Sequence, residues 1–223
     1  MKRIALLICS CLWLNSALAG TSAENRGERY LQIGLVPVGL HIPTLLTSPA
    51  IVGVHLGESL IVGGEWGSGK STSSMDFYNG ETLDQTVINN QGVFVRWFMG
   101  NSFNMYLARH HRSFSTDYSY DAYFDYSSVW WNTDKFVTGK LEGSAEVNTL
   151  ALGNSWMLNI GLTIGADWVV ASQVVNSNSK ITLDSYKGYS RAEARQRMEK
   201  SAEKGLQYLG SSGIGVMHIT YSF

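Results

Sequence analysis

Period-two alternation of apolar and polar side chains dominates the chain. From Trp156 the even positions read Trp156, Leu158, Ile160, Leu162, Ile164, Ala166, Trp168 and Val170. The odd positions between them are Met157, Asn159, Gly161, Thr163, Gly165, Asp167 and Val169. Alternation of this kind puts the two sets on opposite faces of a strand. Met217, Ile219, Tyr221 and Phe223 repeat the pattern, as do Phe103, Met105 and Leu107, and Val93, Val95, Trp97 and Met99. Shorter versions lie at Leu31, Ile33 and Leu35, at Val52, Val54 and Leu56, and at Leu60, Val62, Gly64 and Trp66, facing away from Glu65.

A five-residue repeat punctuates these runs. Leu56-Gly57-Glu58-Ser59-Leu60, Met99-Gly100-Asn101-Ser102-Phe103 and Leu152-Gly153-Asn154-Ser155-Trp156 each place Gly and a polar pair between apolar residues. Gly beside Asn or Glu supplies the backbone angles of a tight hairpin. Three such turns join six strands. A strand over about 28–40 and another over 213–223 make eight, with longer connections over 41–49, 68–86, 112–142 and 171–212. The last connection carries a predicted helix, Arg191–Leu209, with Ser190 as N-cap and Glu193 completing a capping box. Its favoured ion pair is Glu193 with Arg197, and its basic residues offer a surface suited to phosphate groups.

The start of the chain reads as an address. Lys2 and Arg3 precede an apolar stretch, Ile4–Leu14, and Ala17-Leu18-Ala19 offers small residues at a cleavage site. The pattern predicts a signal peptide over 1–19 and a mature domain over 20–223. Both cysteines, Cys9 and Cys11, fall in the leader, so the mature domain is expected to hold neither disulfide nor cysteine metal site. Basic residues then drop from 17 to 15 against 18 acidic ones, a net charge of −3. That balance argues against a nucleic-acid partner, which needs a positive field. Charged residues are only 16% and Gly numbers 23. No apolar run reaches the roughly 20 residues of a spanning helix.

The terminal run Met217-His218-Ile219-Thr220-Tyr221-Ser222-Phe223, with the strand count and the alternation of short turns and long connections, resembles the small bacterial outer-membrane β-barrels of the eight-stranded, OmpA-like transmembrane kind. The resemblance implies an all-β fold: an eight-stranded antiparallel transmembrane barrel with short periplasmic turns, long extracellular loops and one loop helix. It implies export to the outer membrane of a Gram-negative cell, outer-membrane lipid and lipopolysaccharide around the strands, and Tyr221 and Phe223 as the signal read by barrel-assembly machinery. A host or surface ligand at the loops is a further implied partner, and a monomer the expected state. A soluble lipocalin-like binder is the alternative that the long apolar face from Trp156 to Val170 argues against.

Eight strands leave an interior just wide enough for side chains, so a filled lumen is expected rather than a porin-like pore. Its inward faces are expected to hold His55, Glu65, Arg96, Glu146, Asp167 and His218, with Arg96 the cation for Glu65, Glu146 or Asp167. The third loop is aromatic. Tyr118, Tyr120, Tyr123, Tyr126, Trp130 and Trp131 suit a surface ligand or an interfacial girdle. Asp117, Asp121 and Asp125 would align only on a helical turn. Gly64–Ser71 spells a phosphate-loop pattern but lacks a following helix sequence. His110, His111 and Ser113 give a thin case for lipid A-modifying chemistry, since adjacent strand residues face opposite ways. The expectation is no catalytic site, no metal and no cofactor: a structural or surface-recognition protein, with a lipid A-modifying enzyme or a small ion channel as the alternatives.

Overall fold

In the computed structural model, residues 22–38, 41–42, 45–46, 49–70, 75–76, 81–121, 136–210 and 216–223 are described. The expected leader, residues 1–19, lies outside them. Eight antiparallel strands form one sheet that closes on itself. They are β1 (Leu31–Val38), β2 (Ala50–His55), β3 (Leu60–Lys70), β4 (Glu81–Phe98), β5 (Phe103–Asp121), β6 (Phe136–Met157), β7 (Leu162–Lys187) and β8 (Val216–Ser222). Each pairs with its neighbours in the chain, and β1 pairs with β8 to complete the ring. Among the described residues two helices accompany the sheet: α1, described over residues 22–27, and α2 over Arg191–Leu209.

The ring closes with a stagger. Leu35 pairs with Ile219 and Ile219 with Ile164 of β7. In the other direction Leu35 leads through Ala50, Trp66, Gln91, His111 and Glu146 to Asn176 of the same strand. The two paths meet β7 twelve residues apart, bulges included. A stagger of this sort is what tilts strands around a closed sheet.

Alternation then sorts the side chains. Ile33, Val52, Val62, Val95, Leu107, Leu150, Ile164 and Ile219, one from each strand, point outward and remain exposed. Trp66, Trp97, Trp168 and Tyr221 join them, and Val93 is 65% exposed. Val36, Ile51, Ile61, Phe94, Phe98, Tyr106, Ala151 and Val170 pack together inside.

Two of the predicted hairpins form as read, and the third moves. The N–H of Leu56 donates to the Leu60 carbonyl at 2.8 Å and that of Met99 to Phe103 at 2.9 Å, closing loops of three residues. Gly57 and Gly100 open them at φ +75° and +99°, angles that a side chain resists. The matching third closure is Leu158 to Leu162 at 2.8 Å, with Gly161 at φ +89°. Leu152–Trp156 instead stays inside β6. Gly153 is there for close approach, because a Cβ would strike the Ala166 carbonyl oxygen and the Asp167 carboxylate. The face read as continuous from Trp156 to Val170 is therefore interrupted. A turn breaks it at Leu158, and a bulge between Asp167 and Val169 rotates Val170 into the interior.

The described residues of the stretches expected as long loops are largely regular structure. Strands β4 to β7 run for 18, 19, 22 and 26 residues, against 8, 6, 11 and 7 for β1, β2, β3 and β8. Four strands thus rise beyond the ring on the side away from the three hairpins. The extension is partly apolar on its concave face, and α2 fills it. Ala194, Met198, Ala202 and Leu209 fall on one helical stripe and pack against Ile88, Phe114, Tyr118, Val137, Leu141 and Val147. The capping box forms as expected: Ser190 Oγ accepts from the Glu193 N–H at 3.2 Å, and the Glu193 carboxylate accepts from the Ser190 N–H at 2.9 Å. The exposed i,i+4 pair is Arg195 with Glu199 at 3.0 Å. Arg197 lies over the rings of Tyr120 and Tyr189.

Met198 is fully buried at the centre of this contact. Met198→Ala is expected to cost about 2–5 kcal/mol, read as a lower denaturation midpoint, whereas Lys200→Ala on the exposed face should move it by less than about 0.5 kcal/mol.

Candidate functional site

The interior of the ring is polar where its strands cross the outward apolar belt. At its centre Arg96 makes a two-armed ion pair: Nη1 and Nη2 donate to the two carboxylate oxygens of Asp167 at 2.9 and 3.0 Å. Nη1 also donates to Asn104 Oδ1 at 2.6 Å. The guanidinium lies 4.9 Å from the Tyr106 ring centroid. Both charges are buried, so each depends on the other. Asn104 donates in turn to Ser155 Oγ at 3.0 Å, and Ser155 Oγ lies 2.9 Å from His218 Nε2.

Glu65 forms a second cluster. Its Oε2 accepts from the Tyr106 hydroxyl at 2.8 Å, and Oε1 accepts from Asn90 Nδ2 at 3.1 Å and lies 3.0 Å from His110 Nδ1. Asn90 Oδ1 accepts from Arg112 Nε at 3.2 Å. Arg112 Nη1 reaches the carbonyl oxygen of Leu209 at 2.6 Å, where the last turn of α2 leaves carbonyls without helical partners. Arg96 and Arg112 face Glu65 and Asp167 across the two clusters. A cavity of about 60 Å³ separates the groups, far below the ~300–1,000 Å³ of a ligand pocket.

Of the six residues expected inside, five are there. Arg96 chooses Asp167, while Glu65 takes Tyr106, Asn90 and His110. His55 is buried nearer the hairpin end, 3.1 Å from Ser222 Oγ. Glu146 is on the outer face instead, where it accepts from Arg109 Nε at 3.3 Å and lies 2.9 Å from His111 Nδ1. The odd residues of β6 face inward, as Val147, Thr149 and Ala151 do, so position 146 must face out. The two adjacent histidines part company as strand geometry requires: His110 inside, His111 outside.

His110, Arg112, Tyr106, Asn90 and Asn104 belong to the interior cluster although they were not expected there. The signal was available for β5, since positions 110 and 112 continue the even-numbered face of Asn104 and Tyr106. Tyr118 and Tyr120 are not surface residues. They are 2% and 3% exposed beneath α2. Tyr123, Tyr126, Trp130 and Trp131 lie outside the described residues, as does Asp125. Asp117 and Asp121 sit on a strand, not on a helical turn. Gly64–Lys70 is likewise strand, paired with β4. Tyr221 and Phe223 face outward as the terminal pattern predicts, their rings 6.3 Å apart.

Among the described residues no three His, Cys, Asp or Glu side chains are grouped to hold a metal. Ser155 with His218 is a buried contact whose neighbouring carboxylate, Asp167, is committed to Arg96. A nucleophile needs a base that is itself oriented by a third group, and His218 Nδ1 has no hydrogen-bond partner among the described residues. No protein-family model matches the chain, and neither a curated protein nor a solved structure is significantly similar to it.

Removing one arm of the central pair strands the other. Arg96→Ala is expected to cost about 3–5 kcal/mol, seen as a lower thermal or denaturant midpoint. The paired replacement Arg96→Met with Asp167→Leu should recover most of that loss, and a double variant no better than Arg96→Ala would refute the coupling.

Proposed function

We propose that the chain is an integral outer-membrane protein, an eight-stranded β-barrel whose filled lumen serves structure and whose extension beyond the barrel serves the cell surface. The observation that carries this reading is the outward belt. Every strand of a closed ring exposes apolar side chains, and a soluble protein of this size does not leave such a surface to water. Lipid would cover it, and closure of the ring satisfies the backbone groups that lipid cannot. The grooves between outward rows, about 610 Å³ beside Val93 and Leu107 and about 580 Å³ beside Ile33 and Ile219, are shallow, apolar and suited to acyl chains.

The rest of the reading follows from sidedness. Residues 1–19 act as a cleaved export signal. The three short hairpins face the periplasm, and Tyr221 and Phe223 form the signal for the barrel-assembly machinery. The long ends of β4 to β7 with α2 stand outside the cell, among lipopolysaccharide and any surface ligand. Arg109, His111 and Glu146 fall just above the apolar belt, at headgroup height. Catalysis is not part of the proposal: Asp167 is committed to Arg96, Glu65 to Tyr106 and Asn90, and His218 Nδ1 has no orienting partner among the described residues. Conduction is not part of it either, because Phe94, Phe98, Tyr106 and the Arg96–Asp167 pair occupy the lumen.

Outer-membrane fractions run on a gel with and without boiling provide the test. The unheated protein is expected to migrate faster than the boiled form and to resist extraction with urea or carbonate. Recovery in the soluble periplasmic fraction, with no change of mobility on heating, would sink the membrane reading.

A further inference from the structure

The hairpin end of the ring is closed by α1, and the closure is made of polar bonds to backbone. Arg26 is the centre of it. Its Nε donates to the Glu58 carbonyl at 2.7 Å, Nη1 to the Asn101 carbonyl at 2.8 Å and Nη2 to the Gly100 carbonyl at 3.0 Å. Nη1 also donates to Ser22 Oγ at 3.0 Å, and the guanidinium stacks 3.9 Å from the centroid of the Phe98 ring. Glu58 belongs to the first hairpin loop, Gly100 and Asn101 to the second. The third is reached by the rest of the segment. Asn25 Nδ2 donates to the Met157 carbonyl at 3.2 Å, Ser22 Oγ accepts from the Met157 N–H at 3.0 Å, and Arg29 Nη2 donates to the Asn159 carbonyl at 3.0 Å. Arg26 is 2% exposed. Burial lowers its pKa to about 10, against the raising influence of Glu58, so it stays charged at neutral pH.

These acceptors come from three separate hairpins. They converge on one guanidinium and its neighbours only once β3 has paired with β4 and β5 with β6. Among the described residues of α1 only Ser22 and Arg26 are buried, so polar bonds to the hairpins rather than an apolar face hold it in place. The seat of α1 is therefore composite, and it does not exist in an open chain. We propose that α1 is a latch: it docks after β3 has paired with β4 and β5 with β6, and then holds the three hairpins in place. Interactions absent from the folding transition state slow unfolding without speeding folding. The latch thus sets how long the closed ring lasts, not how fast it forms. It rests on the geometry of the ring and stands apart from the membrane reading.

The test uses the full mature chain, refolded into detergent micelles, or into buffer should it prove soluble. Tryptophan fluorescence follows refolding and unfolding rates for the unchanged chain, Arg26→Ala and the milder Asn25→Ala. Arg26→Ala is expected to unfold faster by on the order of tenfold to a hundredfold, and Asn25→Ala by a few-fold, with refolding rates unchanged within about twofold. Trypsin should cut at Arg29 sooner in both variants while the ring persists. Unaltered unfolding rates would overturn the latch. So would refolding slowed as much as unfolding is accelerated, because α1 would then be seated before those strands pair. An Arg26→Ala chain that cannot fold, together with an Asn25→Ala chain that refolds slowly, would overturn it for the same reason. A protein recovered from the soluble fraction fails the membrane proposal and leaves these rates to be measured as before.

Discussion

The ladder between the first strand and the last is the contact on which the rest depends. Gln32 meets Ser222, Gly34 meets Thr220 and Leu35 meets Ile219 across nearly the whole length of the chain. Until it forms, β1 and β8 each present a row of unpaired N–H and C=O groups. Once it forms, every strand has two neighbours within the ring and inside is distinguished from outside. A one-residue slip would exchange the two faces of a strand, turning His218 and Thr220 toward the exterior and Met217 and Ile219 toward the charges. Register is therefore held by the conflict between two environments. The Gln32 side-chain amide, bonded to the Thr220 hydroxyl inside the ring, marks the correct pairing with a polar contact of its own.

The interior that this closure encloses is not simply neutralised. Arg96 and Asp167 satisfy each other through two parallel hydrogen bonds, the geometry that best repays the desolvation of both ions. Glu65 is handled differently, by a hydroxyl, an amide and an imidazole. The two clusters touch through Tyr106, whose ring lies against Arg96 while its hydroxyl serves Glu65. That tyrosine fixes the spacing between them. An apolar interior of equal volume could match the stability, but it would not specify which strand sits opposite which. Arg96 on β4 finds its partner on β7, across the ring, and Tyr106 on β5 finds Glu65 on β3. Each bond spans the lumen rather than the wall.

Much of this was legible in the chain and part was hidden for identifiable reasons. Alternation marked seven of the eight strands because the two faces differ so strongly in polarity, and β6 was inferred only from the turn repeat. The helix at Arg191–Leu209 was visible in its Ser190 and Glu193 cap. The third turn was misplaced because Gly153-Asn154-Ser155 spells the same letters as a true turn, although that glycine makes room for Asp167. Glu146 was placed inside because it is charged, although it shares the even-numbered outer face of Leu150 and Leu152. The long ends of β4 to β7 read as loops because serine, asparagine and glycine there weaken the strand pattern. Pairing with neighbouring strands, and α2 packed along the concave side, supply what local propensity lacks. The role of Arg26 left no local trace. Its partners are backbone carbonyls of loops that lie far away in sequence, and a carbonyl has no letter.

The three hairpins close with the same span and the same kind of bond, and one short helix engages all of them. At that end the molecule admits little variation in length: an extra residue in one loop would lift its carbonyl away from α1. At the other end the strands run from 6 to 26 residues. The architecture is thus a fixed hem with a free margin. Innovation by insertion is confined to the margin, where foreign sequence can be grafted as lengthened strands or loops while the hem keeps count.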